Sequence, residues 1–142
     1  MKKGIDVSGY QGDINWNKVK NDNIEFAILK YCNIYDDDQI QYDSKFENNY
    51  KNCKELNIPV GIYIYNYCNL IDNLEKNIKE ILSNLSNKYF ELPIFLDMED
   101  KTILPEGKEY LSKMCNRFCE IISEKAFIPG IYANLNWLEN YL

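Results

Sequence analysis

Short apolar segments alternate with amphipathic segments along this chain, and no other sequence feature limits its fold so strongly. The apolar segments predict five strands, at residues 4–9, 26–31, 60–67, 93–99 and 129–134. Apolar residues at helical spacing predict helices at 15–22, 43–56, 72–85 and 107–125, and a last helix that begins at residue 136. Strand–helix units that repeat in one direction form a parallel sheet with crossover helices.

The sequence therefore predicts an α/β fold, an incomplete TIM-like (β/α) barrel of five parallel strand–helix units without the closing strands. Its 142 residues are the usual size of a single domain, residues 1–142. An eight-stranded barrel typically takes about 250 residues, so the predicted barrel lacks part of its wall. The open edge that remains invites pairing, and one expectation is a homodimer through this edge. A truncated gene product and a fragment are the alternatives.

Local signals add detail to this prediction. Asn15 and Asp43 precede two of the helical segments and are the expected N-caps. Residues 33–41, which include the run Asp36-Asp37-Asp38, predict a polar, acidic loop whose aspartates are solvated. The five cysteines form no C-x-x-C pair and fall mostly on apolar faces, so they are expected to be buried free thiols: Cys32, Cys53, Cys68, Cys115 and Cys119.

Composition excludes several classes of function. The net charge is −6, which disfavours a nucleic-acid partner because such affinity depends on clustered lysine and arginine. The chain contains no histidine, so acid–base chemistry falls to carboxylates, lysine, tyrosine or cysteine. No stretch is long enough to span a membrane. The start "MKKGIDVSG" has no apolar core and is not expected to be a secretory signal.

Polar side chains follow the predicted strands at the end where parallel strands of such folds carry their working residues. Acids, tyrosines and amides are all represented there. The candidates are Asp6, Gln11, Tyr63, Tyr65, Asp97, Glu99, Tyr132 and Asn134. Because these strand ends meet at one edge of the sheet, we expect the side chains to converge on one rim.

Asp97 and Glu99 end the apolar stretch "LPIFLDMED". Side chains alternate along a strand, so the two should point to the same face, with backbones roughly 6–7 Å apart and Met98 on the opposite side. Repulsion and partial burial should raise one pKa and leave the other group ionised. A proton donor beside a fixed negative charge is what cleavage of a glycosidic bond requires.

Three other interpretations of these acids stay open at this stage. They could be solvated carboxylates in a loop beyond the strand. Three carboxylates without histidine could also hold Mg²⁺ or Ca²⁺. A nucleotide-binding α/β domain is the least favoured, because Gly9 and Gly12 form only G-x-x-G and no glycine-rich phosphate loop follows a strand.

Several segments match a known family in order: "GIDVSGYQGDINWNKVK", "FAILKY", "DSKFENNYKNCKELNIPVGIYIYNY", "PIFLDMED" and "IPGIYANLNWLENYL". Together they resemble the glycoside hydrolase family 25 lysozymes, or muramidases, of bacteria and their phages. The resemblance spans essentially the whole chain. It departs from the family at "KYCNIY", where many members have K-A-T-E-G, at Gly9-Tyr10, and in lacking the further strands that close the barrel.

The resemblance implies cleavage of the β-1,4 bond between N-acetylmuramic acid and N-acetylglucosamine of peptidoglycan, without a cofactor or metal. Glu99 would be the general acid/base, Asp97 would stabilise the substrate's N-acetyl group as it attacks the anomeric carbon, and Asp6 would support the pair. Tyr63 and Tyr132 match positions that line the cleft, and Tyr65 matches less well; Gln11 and Asn134 complete the expected substrate-binding set. Such a protein acts at the bacterial cell wall, outside the cell or after release by a phage. The alternative is a non-catalytic glycan-binding remnant of the same fold.

Overall fold

Six strands and five α-helices alternate along residues 2–142, which the computed structural model describes; Met1, the first residue of the predicted domain and of the stretch tested as a signal, lies outside them. The strands are β1 Gly4–Val7, β2 Phe26–Ile34, β3 Ile40–Tyr42, β4 Val60–Asn66, β5 Ile94–Asp97 and β6 Pro129–Tyr132. The helices are α1 Trp16–Asn21, α2 Phe46–Glu55, α3 Ile71–Asn84, α4 Lys108–Glu124 and α5 Leu135–Asn140. No helix in this part of the chain is long and apolar enough to cross a membrane.

Five of the strands form one parallel sheet in the order β1-β2-β4-β5-β6. This confirms the predicted α/β fold with five parallel strand–helix units. Within residues 2–142, β1 pairs in parallel only with β2, and β6 pairs only with β5. The sheet therefore has two open edges and the barrel is not closed, as the length of the chain predicts.

The segment predicted as an acidic loop, 33–41, is instead largely a hairpin. Strand β2 continues to Ile34, and β3 pairs antiparallel with its last three residues. The prediction was wrong because the two arms of the hairpin are short and rich in polar residues, so they show no clear alternation of apolar and polar side chains. The turn lies at the aspartate run, where Asp38 adopts a positive φ of 61°.

Helices cover only the outer face of the sheet. Outward-facing strand residues such as Leu29, Ile62 and Leu96 are fully buried, as expected for a sheet layered under amphipathic helices. On the inner face, aromatic rings lie across the glycines of neighbouring strands. A Cβ atom on Gly130 would lie 2.6 Å from the ring of Phe95, and Gly4 has the same relation to Phe26. Glycine is needed at these positions because the rings fill the space that a side chain would occupy.

Local details differ from the sequence prediction at several element ends. Asn15 caps α1 as predicted, since its side-chain oxygen accepts from the N–H of Lys18 at 3.1 Å. Asp43 does not cap α2; its carboxylate accepts from the N–H groups of Gly9 at 2.7 Å and Lys45 at 3.1 Å, and so joins two loops. An unpredicted 3₁₀ helix, Lys101–Glu106, follows β5. All five cysteines are free thiols as predicted; four are buried and Cys119 is partly exposed.

Asp36 is an anchor and not a solvated loop residue. Its carboxylate accepts hydrogen bonds from the backbone N–H groups of Asn69 at 2.9 Å and Leu70 at 3.1 Å, and from the side chains of Asn69 and Asn73 at 3.2 Å. Burial opposes its charge, but these bonds lower its pKa below the usual range. Asp36 thus fixes the β2–β3 hairpin to the two residues that lead into α3, while the first helical N–H, that of Ile71, donates to the hydroxyl of Tyr110 at 2.9 Å.

Replacing Asp36 by alanine should destabilise the fold by about 1–2 kcal/mol at neutral pH, because it leaves the N–H groups of Asn69 and Leu70, just before α3, without their acceptor. The lowered pKa means that this contribution is present above the carboxyl's unfolded pKa and is lost as pH falls through the folded one. Urea unfolding at several pH values measures the difference. Asp37→Ala, at the exposed neighbouring position, should leave stability unchanged; equal losses in both variants would contradict the anchoring role.

Candidate active site

A cavity of about 260 Å³ opens at the edge where the parallel strands end. Acidic, phenolic and apolar side chains share its wall. The lining residues are Asp6, Ile28, Tyr63, Phe95, Asp97, Glu99 and Tyr132. All five parallel strands, or the loops directly after them, contribute to this lining.

Strand register brings these residues together. Asp6 of β1 lies beside Ile28 of β2, and Tyr63 of β4 lies beside Phe95 of β5. Asp97 lies beside Tyr132 of β6. Neighbours in register point to the same face of a sheet, so residues far apart in the chain meet on the inner face. Glu99 reaches the same pocket although β5 already ends at Asp97, two residues before the predicted end.

Asp97 is the buried member of the acidic group. Only 5% of its surface is exposed, and its Oδ1 atom has no hydrogen-bond partner among the described residues. Burial raises its pKa to about 8, and the adjacent Glu99 carboxyl adds to the shift by hydrogen bonding and repulsion. In the free pocket the Asp97 carboxyl therefore largely keeps its proton at neutral pH.

Which carboxyl group holds the proton matters for the roles that the family resemblance implies. The sequence argument required one raised pKa in the pair, and the structure assigns it to Asp97, whereas the implied proton donor is Glu99. Two carboxyl groups this close titrate as a unit, so a proton on one is available to the other. A ligand that hydrogen-bonds to either group will decide which of them holds it.

Met98 lies between the two acids and points away from the pocket, as the alternation predicts. It is fully buried, and its sulfur accepts from the side-chain amide of Asn66 at 3.3 Å. The Asn66 oxygen in turn accepts from the N–H of Cys68 at 2.8 Å. Asn66 thereby fixes the end of β4 against the segment that carries both acids. The sequence places Asn66 among the polar residues at the strand ends, but its role as a support for Met98 follows only from the structure.

Tyr63 and Tyr132 present phenol groups to the acids. Burial, and then the negative charges of Asp6 and Asp97, raise the pKa of Tyr63 to about 12. Burial and the charge of Glu99 likewise raise the pKa of Tyr132. Both phenols therefore keep their protons at neutral pH and can donate hydrogen bonds to a ligand in the pocket.

Three of the predicted binding residues do not line the cavity. Tyr65 donates its hydroxyl hydrogen to Asp100 at 3.2 Å. The side-chain oxygen of Gln11 accepts from the N–H of Ser8 at 2.6 Å, and that of Asn134 accepts from the N–H of Trp137 at 3.0 Å. The last two side chains cap a 3₁₀ turn and helix α5. Ile28 and Phe95 do line the cavity, and sequence reasoning did not select them because they look like ordinary core residues.

The metal-site alternative lacks a ligand set in this structure. Among residues 2–142, no three acidic or thiol side chains are grouped so that they could hold a metal ion. The acids of the pocket instead face phenols and apolar rings, which are typical of a site for an organic ligand.

The fold and the pocket define a class: an α/β protein of the (β/α)-barrel type with an acidic cleft at the carboxyl ends of its strands. The chain belongs to glycosyl hydrolases family 25, whose sequence profile matches residues 5–142. No curated protein matches the chain.

Solved structures of the same architecture cover nearly all of this chain. The modular autolysin LytC of Streptococcus pneumoniae, solved with a synthetic peptidoglycan ligand, superposes with a TM-score of 0.84 at 23% identity over 99% of this chain. The spore cortex lytic enzyme SleM of Clostridium perfringens gives 0.83 at 22% identity over 97%, and a family 25 glycosyl hydrolase of Bacillus anthracis gives 0.81 at 24% over 100%. The matched part is 34%, 46% and 64% of those chains, respectively.

Replacing Asp97 by asparagine should make the folded protein more stable at pH 8. A raised pKa means that the folded state binds a proton which the unfolded state has released, so the contribution is full at low pH and is lost as pH rises towards 8. An amide is never ionised, and the variant should gain roughly 1–3 kcal/mol at pH 8 relative to its difference at pH 4.

Thermal unfolding of both proteins across this pH range measures the effect. Asp37→Asn, at the exposed neighbour of Asp36, is the matched control and should follow the parent protein. Parallel stability curves for the parent and Asp97→Asn would show that Asp97 carries no raised pKa.

Proposed function

We propose that this chain is the catalytic part of a peptidoglycan hydrolase that cleaves the β-1,4 bond between N-acetylmuramic acid and N-acetylglucosamine. The observation that carries the proposal is the pairing of buried Asp97 with Glu99 in one cavity at the strand ends. Membership of the glycosyl hydrolase family supports it. The peptidoglycan ligand of the similar autolysin supports the substrate class, and with it a site of action at the bacterial cell wall.

Glu99 is the general acid/base in this proposal. It lies in the pocket beside Asp97, within hydrogen-bonding reach of its carboxyl group. It donates a proton to the leaving glycosidic oxygen and later removes one from the attacking water. The nucleophile in between is the acetamido oxygen of the substrate, so the configuration at the anomeric carbon is retained.

Asp97 guides the acetamido group. Its Oδ1 atom is buried and has no partner among residues 2–142, so the carboxyl group gains a hydrogen bond when it turns towards the N–H of that group. A hydrogen bond to the charged form lowers a carboxyl's pKa. Substrate binding therefore ionises Asp97 and shifts the shared proton to Glu99, where it is needed. In this proposal the proton lies on Asp97 in the free pocket and reaches Glu99 when substrate binds.

In this proposal the remaining residues bind the sugar or support the Asp97–Glu99 pair. Asp6 lies across the pocket from the pair and adds negative charge that steadies the oxocarbenium-like centre. Tyr63 and Tyr132 donate hydrogen bonds to the sugar. Tyr65 lies outside the cavity and contributes through Asp100 at the rim, while Gln11 and Asn134 act on the loops that they cap.

Glu99→Gln should abolish clearing of a peptidoglycan suspension, a loss of at least about 100-fold, because the amide cannot transfer a proton. The fold should persist, as judged by circular dichroism. The matched control is Glu55→Gln, at an exposed position of α2 on the outer layer, which should clear walls at the parent rate.

Release of reducing ends separates this function from the binding alternative. Retention of the parent protein on insoluble peptidoglycan without new reducing ends would identify a glycan-binding module instead. Reducing ends that appear at equal rates with the parent and Glu99→Gln would show that another residue is the proton donor.

The proposal includes a second copy of the chain at an open edge. The inner face beside the edges is only partly covered, with Phe26 and Ile28 half-buried. Ile94, which begins β5, and Met98, just after β5, donate their N–H groups to the carbonyls of Ile128, just before β6, and Tyr132, both at 2.8 Å. Backbone groups alternate sides along a parallel strand, so the N–H of Ile131 faces the open edge.

Sedimentation at increasing protein concentration should show a dimer for the parent chain. Ile131→Pro removes an edge donor without touching the bonds to β5, and it should weaken the dimer at least about tenfold. Thermal unfolding checks that the variant is folded. A parent chain that stays monomeric at every concentration would exclude this assembly.

A further inference from the structure

Lys30 is the only basic residue in any strand of residues 2–142. It lies on β2 two positions after the pocket residue Ile28, so its side chain extends from the same inner face. Its register partner on β4 is Tyr63, which also lines the pocket. A single cation thus projects from the face that carries the acids.

The ammonium group of Lys30 has no direct partner within this part of the chain. Lys30 takes part in none of the salt bridges there, although it is partly buried. Its nitrogen lies 5.9 Å from the ring centroid of Tyr65, within the range of a cation–π contact.

A β-bulge follows Lys30 directly. Lys30 pairs with Tyr63 and Cys32 with Ile64, so Tyr31 is an extra residue in β2. Bulges occur beside active sites, where they redirect side chains and bend the strand. Here the bulge ends the regular alternation just after the lysine, which leaves Lys30 as the last inner-face residue before the strand changes course.

The groups that face this region are otherwise acidic or phenolic. They come from β1 (Asp6), β4 (Tyr63 and Tyr65), β5 and its following loop (Asp97, Glu99 and Asp100), β6 (Tyr132) and the loop before α2 (Asp43). Burial, Glu99 and Asp6 all raise the pKa of Asp97, and Lys30 is the group that lowers it. Its positive charge therefore offsets the repulsion within the acidic group.

We propose that Lys30 is a positioning residue whose positive charge, projecting from the inner face of β2 beside Tyr63, stabilises the negative charge of the Asp97–Glu99 pair. This inference rests on the proposed function only for its purpose. A hydrolase of the proposed kind needs one proton on the Asp97–Glu99 pair, neither two nor none. Lys30 acts on Asp97 and not on the sugar.

The test is a pH titration of the side-chain carboxyl carbons of Asp97 and Glu99 by ¹³C NMR on the free protein. Lys30→Met keeps the length of the stem and removes the charge, so the titration of the pair should move up by roughly one pH unit. Lys30→Arg keeps the charge and should stay near the parent. Lys51→Met, at an exposed position of α2, removes the same net charge and should shift nothing.

An unmoved titration in Lys30→Met, or equal shifts in Lys30→Met and Lys51→Met, would overturn the role of Lys30. The readout needs no substrate. A chain that shows the shift but clears no peptidoglycan would refute the proposed function and leave this inference standing. A chain that clears peptidoglycan but shows no shift would support the proposed function and refute the role of Lys30.

Discussion

Two carboxyl groups held at the end of one short, buried strand are the constraint on which this structure depends. Strand β5 has only four residues, yet it brings Asp97 into a site that is 5% exposed, with Glu99 beside it. Burial and repulsion raise the pKa of Asp97 and cost the fold stability as pH rises. The arrangement persists because the other face of β5 is packed under helices, and because Asn66 fixes Met98 between the acids.

The unclosed sheet determines what kind of site surrounds these acids. Phe26 and Phe95 fill the inner face by lying across the glycines of neighbouring strands, and Phe95 forms part of the pocket floor. Asp6 and Tyr132 stand on the two edge strands and remain exposed. Under the proposed function, a glycan strand can therefore approach over an edge, while the reacting bond lies against the buried part of the wall.

Site residues were predicted correctly where they follow from the alignment of parallel strand ends. They were predicted wrongly where a side chain instead forms a hydrogen bond with nearby backbone. Asp6, Tyr63, Asp97 and Tyr132 meet because parallel strands end at one edge, a rule that needs no knowledge of the loops. Gln11 and Asn134 follow strands equally closely, but their short polar side chains bond to nearby backbone amides and cap turns. For Asp36 and Asp43 the error is the opposite: the sequence predicts a solvated residue and a local N-cap, but each carboxylate binds a segment distant in sequence.

The sequence by itself determined the parallel α/β architecture, the incomplete barrel and the crowding of acids after β5, because hydrophobic period and strand–helix order specify these without long-range detail. Only the tertiary structure decided which carboxyl is buried and where Lys30 stands relative to it. Those properties depend on strand register, on a bulge of one residue and on which neighbours exclude water. A pKa responds to distances of a few ångströms between residues far apart in the chain, and no local pattern encodes them.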